Sequence, residues 1–254
     1  MKSLRYIIVA LLVLVAADAA AWTTEVNKAV LMLAEENLSK KTTKEVEALL
    51  GAPLSSIEFA NKGKSKTHLD ENGKSVTTDE KDAVVMLEKA IATLKDKGAT
   101  AEVRKAALLT AVEMTVDIHC LANVLIDKHL EKNFTFSRHN SMQIGFRYYK
   151  VTKTKWQALW HQAYHKSHGV FSAKMYLYDW KIATAGKAKS YKKESVAPRK
   201  WAEQSGARAL EALKVFHTDA IIEMVEVPKM EELNNACLYD AAFHLANLLN
   251  TILK

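Results

Sequence analysis

The chain of 254 residues is 49% hydrophobic and 26% charged, and it contains only 8 glycines and 3 prolines. This composition excludes collagen-like, low-complexity and wholly disordered proteins, and the scarcity of turn-forming residues argues against a many-turned β-sandwich. The formal charge of +7 allows nucleic acid, acidic surfaces or anionic substrates as partners, whereas two cysteines are too few for a disulfide scaffold or a cysteine-rich zinc module.

The first 21 residues have the pattern of a secretory signal peptide. Lys2 and Arg5 precede an uninterrupted apolar run of 11 residues at 7–17, and alanines at 19–21 supply small residues for cleavage. The run is too short to span a bilayer comfortably, and no later segment is long and apolar enough to do so. The pattern predicts residues 1–21 as a signal peptide, residues 22–254 as the mature domain, and a secreted or periplasmic location.

Hydrophobic periodicity and capping residues predict a mature domain made mainly of α-helices. The predicted helices span residues 24–38, 42–50, 79–97, 101–126, 154–166, 171–184, 200–217 and 230–253. Polar, turn-rich residues at 61–78 and basic residues at 187–200 indicate loops, and aromatic and β-branched residues at 134–151 favour a small β-hairpin. Since no repeat or linker interrupts the pattern, we expect one domain and a monomer.

The two cysteines leave two alternatives open. In an exported chain, Cys120 and Cys237 are the one pair available for a disulfide. A bridge between two helices and two ordinary buried thiols fit the sequence equally well.

Two acidic residues lie in the most apolar helical segment. Between residues 106 and 126, Glu113 and Asp117 are the only formally charged residues, and their spacing of four puts them on one helix face. An ionised carboxylate in apolar surroundings is costly without a partner. A divalent metal between the two acids, a buried lysine or arginine, and exposure of both acids to solvent remain alternatives.

A histidine cluster, HQAYHKSH, contains His161, His165 and His168. His161 and His165 have the i, i+4 spacing of two residues that share a metal ion on a helix. The alternative is a partly exposed, histidine-rich helix end.

Short motifs follow one another along the mature chain. They are WTTEVN from residue 22, EALLG from 47, FAN from 59, EMTVDIHCLAN from 113, KWQALWH from 155, WAEQS from 201 and HLANLLNTIL from 244. In order and spacing they resemble the motifs of the zinc-dependent, single-strand-specific nucleases of the S-one/P-one family. That resemblance implies a single-domain helical array of the zinc nuclease and phospholipase C type.

The resemblance also implies a zinc site, of which part of the ligand set has changed. Positions that match zinc ligands and still carry zinc-binding residue types are Trp22, His68, Glu113, Asp117 and His161. Positions that carry neutral amides, which bind zinc weakly, are Asn27, Asn61, Asn123 and Gln157. We therefore expect one or two zinc ions rather than the family's three. Asn61 stands at the aspartate that orients the attacking water in the family, and an amide cannot take up a proton.

Cationic and aromatic residues alternate around the predicted hairpin. The predicted substrate-binding residues are Arg138, Asn140, Arg147, Tyr149 and Trp156. Such residues attract phosphates and stack on the bases of single strands, although a strand pair with a solvated face would show the same pattern.

Two functions remain open at this point. The first is a secreted zinc phosphodiesterase with an altered site that hydrolyses single-stranded DNA or RNA and 3′-nucleotides. The second is a catalytically inactive relative that binds nucleic acid, a lipid headgroup or another protein.

Overall fold

The computed structural model of this chain describes residues 22–59, 65–126, 133–139, 149–155, 160, 171–192, 194–215, 221–222 and 227–253. Residues 1–21, for which we predict a signal peptide, lie outside these ranges. So do Asn61, Gln157 and the histidine cluster at 161–168.

The described residues form a mainly α fold, as predicted. Its helices are α1 Thr24–Glu36, α2 Lys40–Leu50, α3 Ala83–Lys95, α4 Ala101–His119, α5 Ala173–Ala183, α6 Ala188–Tyr191, α7 Pro198–Val215 and α8 Val227–Ile252. Short polar side chains cap several of them; the Thr23 hydroxyl, for example, accepts a hydrogen bond from the Val26 N–H at 3.3 Å. None of the helices in the described part of the chain is long and apolar enough to cross a membrane.

Short strands accompany the helices. Strand β1 Thr67–Leu69 pairs in parallel with β2 Val124–Ile126. Strands β3 Asn133–His139 and β4 Tyr149–Lys155 are antiparallel, and β5 Ile221–Ile222 pairs in parallel with β3. The predicted hairpin is therefore confirmed. Strand β4 extends to Lys155, so the predicted start of the next helix at residue 154 is wrong.

The structure corrects several predicted boundaries. The helix predicted to reach residue 126 ends at His119, because Cys120 has extended backbone angles and a 3₁₀ turn, Leu121–Asn123, leads into β2. The helix predicted from residue 79 begins at Ala83, where Asp82 Oδ1 accepts a hydrogen bond from the Val84 N–H. The predicted loop at 61–78 contains β1, and the predicted loop at 187–200 contains α6 and the start of α7.

Helix α4 lies at the centre of the fold. It packs against α2, α3, α7 and α8, while α1 packs against α5 and α8. From Met114 to His119 every residue of α4 is buried, so the end of this helix has no solvent-facing side. Polar residues at this end must therefore find partners inside the protein. Cys120 and Cys237 are buried nearby as free thiols.

Gly206 in α7 allows a close approach between α7 and the turn that follows β1. A methyl group at this position would meet the side chain of Leu69 and would lie 3.0 Å from the carbonyl oxygen of Gly73. We expect Gly206→Ala to lower the free energy of unfolding by about 1–3 kcal/mol, because this overlap exceeds the advantage of roughly 1 kcal/mol that alanine has within a helix. Urea unfolding followed by circular dichroism measures the change.

The matched control is Gly98→Ala. Its methyl group would meet only the Asp96 carboxylate, at 3.2 Å, and that side chain can move. A change within about 0.5 kcal/mol is expected. Equal stability of both variants and the unmodified protein would contradict the packing argument.

Candidate functional site

A lysine and two polar side chains form a network at the end of α4. Asp117 is 4% exposed, and its Oδ1 accepts a hydrogen bond from Asn123 Nδ2 at 3.2 Å. Asn123 Oδ1 in turn accepts one from Lys66 Nζ at 2.8 Å. Lys66 is half-buried just before β1, where its carbonyl oxygen accepts from the Ala83 N–H. Of the three alternatives for the acids in this helix, the structure shows a lysine near Asp117.

The charges in this Lys66–Asn123–Asp117 network are strongly perturbed. Burial and, to a smaller extent, the neighbouring Glu113 raise the pKa of Asp117 to about 8, against the opposing effects of Lys66, the Ser65 backbone and Asn123. Burial also lowers the pKa of Lys66. Asp117 is therefore mostly protonated at neutral pH. Within the described residues its Oδ2 has no hydrogen-bond partner.

His68 lies on β1 but is held by a different partner. Its Nδ1 is 3.0 Å from Asp82 Oδ2, and the same oxygen accepts from the His68 backbone N–H at 2.7 Å. Asp82 is fully buried, whereas the His68 side chain is 48% exposed. His68 is thus attached to the start of α3.

Trp22 forms part of a cleft on another side of the fold. Its ring is 5% exposed, and its indole N–H donates to Asn234 Oδ1 of α8 at 3.1 Å. The cleft, of about 420 Å³, is also lined by Asn27 and residues 55–59, the segment that leads towards Asn61. The Asn27 amide oxygen has no hydrogen-bond partner among the described residues. Trp22 and Asn27 therefore line the same cleft.

The described donors do not fit a three-zinc site. His68 bonds to Asp82, and Asp117 bonds to an amide that also binds an ammonium group. In the part of the chain that the structure describes, no three His, Cys, Asp or Glu side chains gather as metal ligands. A nearby ammonium group opposes the binding of a further cation.

The remaining predicted ligands add little to this set. Glu113 is half-buried one turn before Asp117, and His161 lies outside the described residues. Zinc binding stays a prediction.

Two of the five predicted substrate-binding residues, Arg138 and Tyr149, lie on the described strands β3 and β4. Arg138 is paired with Lys150 in the backbone register, and Tyr149 with His139. Asn140, Arg147 and Trp156 lie outside the described residues.

A second buried network, which the sequence analysis missed, starts two residues after Asp117. His119 Nδ1 lies 2.6 Å from the carbonyl oxygen of Thr115, and His119 Nε2 lies 2.8 Å from His244 Nδ1. His244 Nε2 lies 2.9 Å from Glu194 Oε2, and Trp201 stacks on the His244 ring. Both histidines interrupt apolar helical segments, which is the only signal that the sequence carries for them.

The three contacts in this series, which we call the His119–His244–Glu194 chain, need three protons. The Thr115 carbonyl only accepts, so His119 Nδ1 must donate to it. If His119 is neutral, its Nε2 accepts from His244 Nδ1, and a neutral His244 then presents another acceptor to the Glu194 carboxylate. Two neutral imidazoles supply only two protons. With both imidazoles neutral, the contact between His244 Nε2 and Glu194 Oε2 has no proton, and a hydrogen bond there needs a third one.

The groups around this chain are also charged or polar. Asp240 accepts hydrogen bonds from Tyr191 at 2.5 Å and from Arg208 at 2.6 Å, and Arg208 also contacts the Cys237 thiol. Burial and His244 lower the pKa of His119 to about 3. Burial also lowers the pKa of His244, although Glu194 and Asp240 act in the opposite direction. Both imidazoles are therefore neutral at neutral pH, and His244 Nε2 faces Glu194 without a proton of its own.

Comparison of the sequence with protein-family models finds no match, and comparison with curated proteins finds no significant similarity. The resemblance to S-one/P-one nucleases stays a prediction based on the motifs.

We expect Asp117→Asn to stabilise the protein at pH 7.5 by several kcal/mol, at most about 5 kcal/mol, and to leave its stability near pH 4 almost unchanged. The unfolded carboxyl group has a pKa of about 3.9, whereas burial raises the folded value to about 8. Between these values the folded state holds a proton that the unfolded state has released, so stability is lost as the pH rises. An amide has no such proton. Urea unfolding at pH 4, 6 and 7.5 measures the difference.

The control is Asp82→Asn, at a buried carboxylate that accepts backbone N–H bonds from His68 and Val84. This variant should be less stable than the unmodified protein at pH 7.5. If Asp117→Asn instead destabilises the protein at pH 7.5, or releases bound zinc, Asp117 acts as an ionised ligand and our interpretation is wrong.

We expect Glu194→Gln to stabilise the protein at pH 7.5 by about 0.5–1.5 kcal/mol. Burial lowers the pKa of His244, so its Nε2 presents a lone pair to the Glu194 side chain, 2.9 Å away. A glutamine amide can donate a hydrogen bond to that nitrogen, which a carboxylate cannot do. Urea unfolding of both proteins at pH 7.5 measures the change. Lower stability of the variant would show that a proton lies between His244 and Glu194 in the unmodified protein.

Proposed function

We propose that this protein binds a phosphate-bearing ligand without hydrolysing it, and that the ligand is a single-stranded nucleic acid. The observation that carries the proposal is the ammonium group of Lys66, which donates to Asn123 at 2.8 Å beside Asp117. The resemblance to S-one/P-one nucleases assigns both Asn123 and Asp117 to zinc-ligand positions. A lysine beside them keeps a positive charge at the site but changes its chemistry.

The donor chemistry of this network supports the proposal that the ligand is not hydrolysed. Metal-dependent phosphodiester hydrolysis needs a metal to generate the nucleophile and to stabilise charge in the transition state. Asp117 is mostly protonated at neutral pH because burial raises its pKa to about 8. An amide stands at position 123 and another at position 61, where the family has a proton acceptor. An ammonium group supplies charge but no nucleophile.

The affinity for phosphate follows from the charges of the strand pair. Strands β3 and β4 contain four cationic residues and no acidic residue. These cations are Arg138, Lys150, Lys153 and Lys155. The register pairs Arg138 with Lys150, so two cationic positions are directly opposite one another. Such an arrangement favours an anionic ligand, and the neighbouring phenylalanines and tyrosine are residue types on which bases stack.

We expect a labelled single-stranded oligonucleotide to bind the purified protein with a dissociation constant in the micromolar range, and to bind at least about tenfold more weakly when salt rises from 50 to 200 mM. The oligonucleotide should remain intact after incubation with added zinc, and the protein should hold fewer than three zinc ions per chain. Fluorescence anisotropy, gel electrophoresis and elemental analysis measure the three quantities.

A double substitution tests the strand pair. Arg138→Ala with Lys150→Ala should weaken binding about fivefold to tenfold, because two phosphate contacts are lost. Lys41→Ala with Lys44→Ala removes the same charge from exposed positions on α2 and should change binding by less than about twofold. Equal effects of the two double substitutions would show that binding depends only on the net charge of the protein. Three zinc ions with efficient cleavage would identify an enzyme and overturn the proposal.

A further inference from the structure

The outer face of helix α5 carries an exposed apolar stripe. Among the described residues, five large hydrophobic side chains are exposed, and three of them are on this helix. Met175, Tyr178 and Ile182 are 48%, 68% and 63% exposed. Their spacing of three and four residues puts them on one face. We call these three residues the α5 stripe.

The opposite face of α5 attaches the helix firmly to the fold. Tyr176 and Trp180 are buried there, and α5 packs against α1. At its first turn the Ala173 N–H donates to Glu25 Oε2 at 2.7 Å. Since the inner face already holds the helix in place, the stripe is not needed for folding. Clustered apolar side chains in water are a mark of an interaction surface.

Lysines border the α5 stripe on one side. Residues 171–192 contain five lysines and a single acid, Asp179. Lys174 and Lys181 lie on the same side of the stripe, and Lys181 pairs with Glu36 at 2.9 Å. Further lysines follow in and beside α6, and Lys187 lies over the ring of Tyr239 at 6.0 Å. The surface is therefore apolar at its centre and cationic at its border.

We propose that the α5 stripe docks on a membrane surface that contains anionic lipid, with the helix axis parallel to the membrane plane. Met175 and Ile182 would enter the boundary between headgroups and acyl chains, Tyr178 would lie at headgroup level, and the lysines would contact lipid phosphates. The inference does not rest on nucleic-acid binding by β3 and β4, which are other elements of the fold.

The aliphatic side chains of the α5 stripe favour a membrane over a nucleic acid as the partner of this surface. A single-stranded nucleic acid is bound by cations together with stacking aromatic rings, and the stripe has only Tyr178 for stacking. Acyl chains, in contrast, accept the methionine and isoleucine side chains. The lysines then select an anionic membrane over a neutral one, because charge attraction adds to apolar burial.

A local fluorescent label tests the proposal in the full chain. Cys120 and Cys237 are 1% and 0% exposed, so an added cysteine at the surface reacts selectively with an NBD label. Ala185→Cys puts the label beside Tyr178 and Ile182 without altering the stripe. Ala101→Cys, at the exposed start of α4, is the matched control. The apolar residues 7–17 would themselves bind vesicles, so binding of the whole protein does not show which surface is involved. The fluorescence of the label reports the surroundings of the α5 stripe.

We expect NBD emission at position 185 to rise at least about twofold with phosphatidylcholine vesicles that contain phosphatidylserine, and to change little with phosphatidylcholine alone. Emission at position 101 should not change. In the labelled protein, Met175→Ser with Ile182→Ser should abolish most of the rise, whereas Val76→Ser with Val103→Ser, at the other two exposed hydrophobic positions, should preserve it. Lys174→Gln with Lys189→Gln should reduce the rise on anionic vesicles.

Three results would overturn the proposal. The first is an equal response at positions 185 and 101, the second is no response to anionic vesicles even at low salt, and the third is a response to a single-stranded oligonucleotide in place of vesicles. The third result would assign the surface to nucleic acid. Circular dichroism of each variant confirms that the fold is intact.

Discussion

The architecture depends on burial of the polar end of α4. Asp117 and His119 lie in a helix that has neighbours on every side, and a buried polar group without a partner is costly. Two residues apart on a helix, they face nearly opposite directions. One side of the helix therefore needs the Lys66–Asn123–Asp117 network, and the other needs the His119–His244–Glu194 chain. Segments distant in sequence meet at this point to provide them.

The Lys66–Asn123–Asp117 network shows one of two ways in which the charge of buried acids can be balanced. Acidic residues in an apolar helix need a cation, and either a metal ion or an ammonium group provides it. A metal ion would make the site chemically active, whereas an ammonium group on a half-buried lysine only balances charge. In this chain Lys66 is near Asp117, and the pKa of Asp117 is still raised to about 8 because burial outweighs the lysine. This charge balance supports the proposal of binding without hydrolysis.

Local features of the fold were predictable from the sequence, and non-local ones were not. Helix α5, predicted at 171–184, is observed at Ala173–Ala183, because one face is apolar over its whole length. The end of α4 was not predictable, since valine, leucine and isoleucine after Asn123 suit a buried helix and a buried strand equally. Only the pairing of β2 with the distant β1 makes them a strand.

The candidate site follows the same rule. The acids at 113 and 117 indicated a need for a cation, and a buried lysine was one of the alternatives. The sequence did not identify the lysine, because Lys66 and its hydrogen-bond partner Asn123 are 57 positions apart. The two histidines of the second chain are 125 positions apart. Periodicity and motifs describe neighbours along the chain, so contacts of this kind have no signal in a single sequence.

The second network links the core to the cationic border of the α5 stripe. Glu194 follows α6, and both its ends are attached to α8: its carboxylate to His244 and its carbonyl oxygen to Asn247 at 2.8 Å. Tyr191 at the end of α6 is attached to Asp240 of the same helix. The lysine-rich segment between α5 and α7 is therefore held by hydrogen bonds to one buried helix face. These hydrogen bonds come from buried or half-buried side chains of α8, so the core of the fold, and not the surface itself, fixes where the lysines lie beside the α5 stripe.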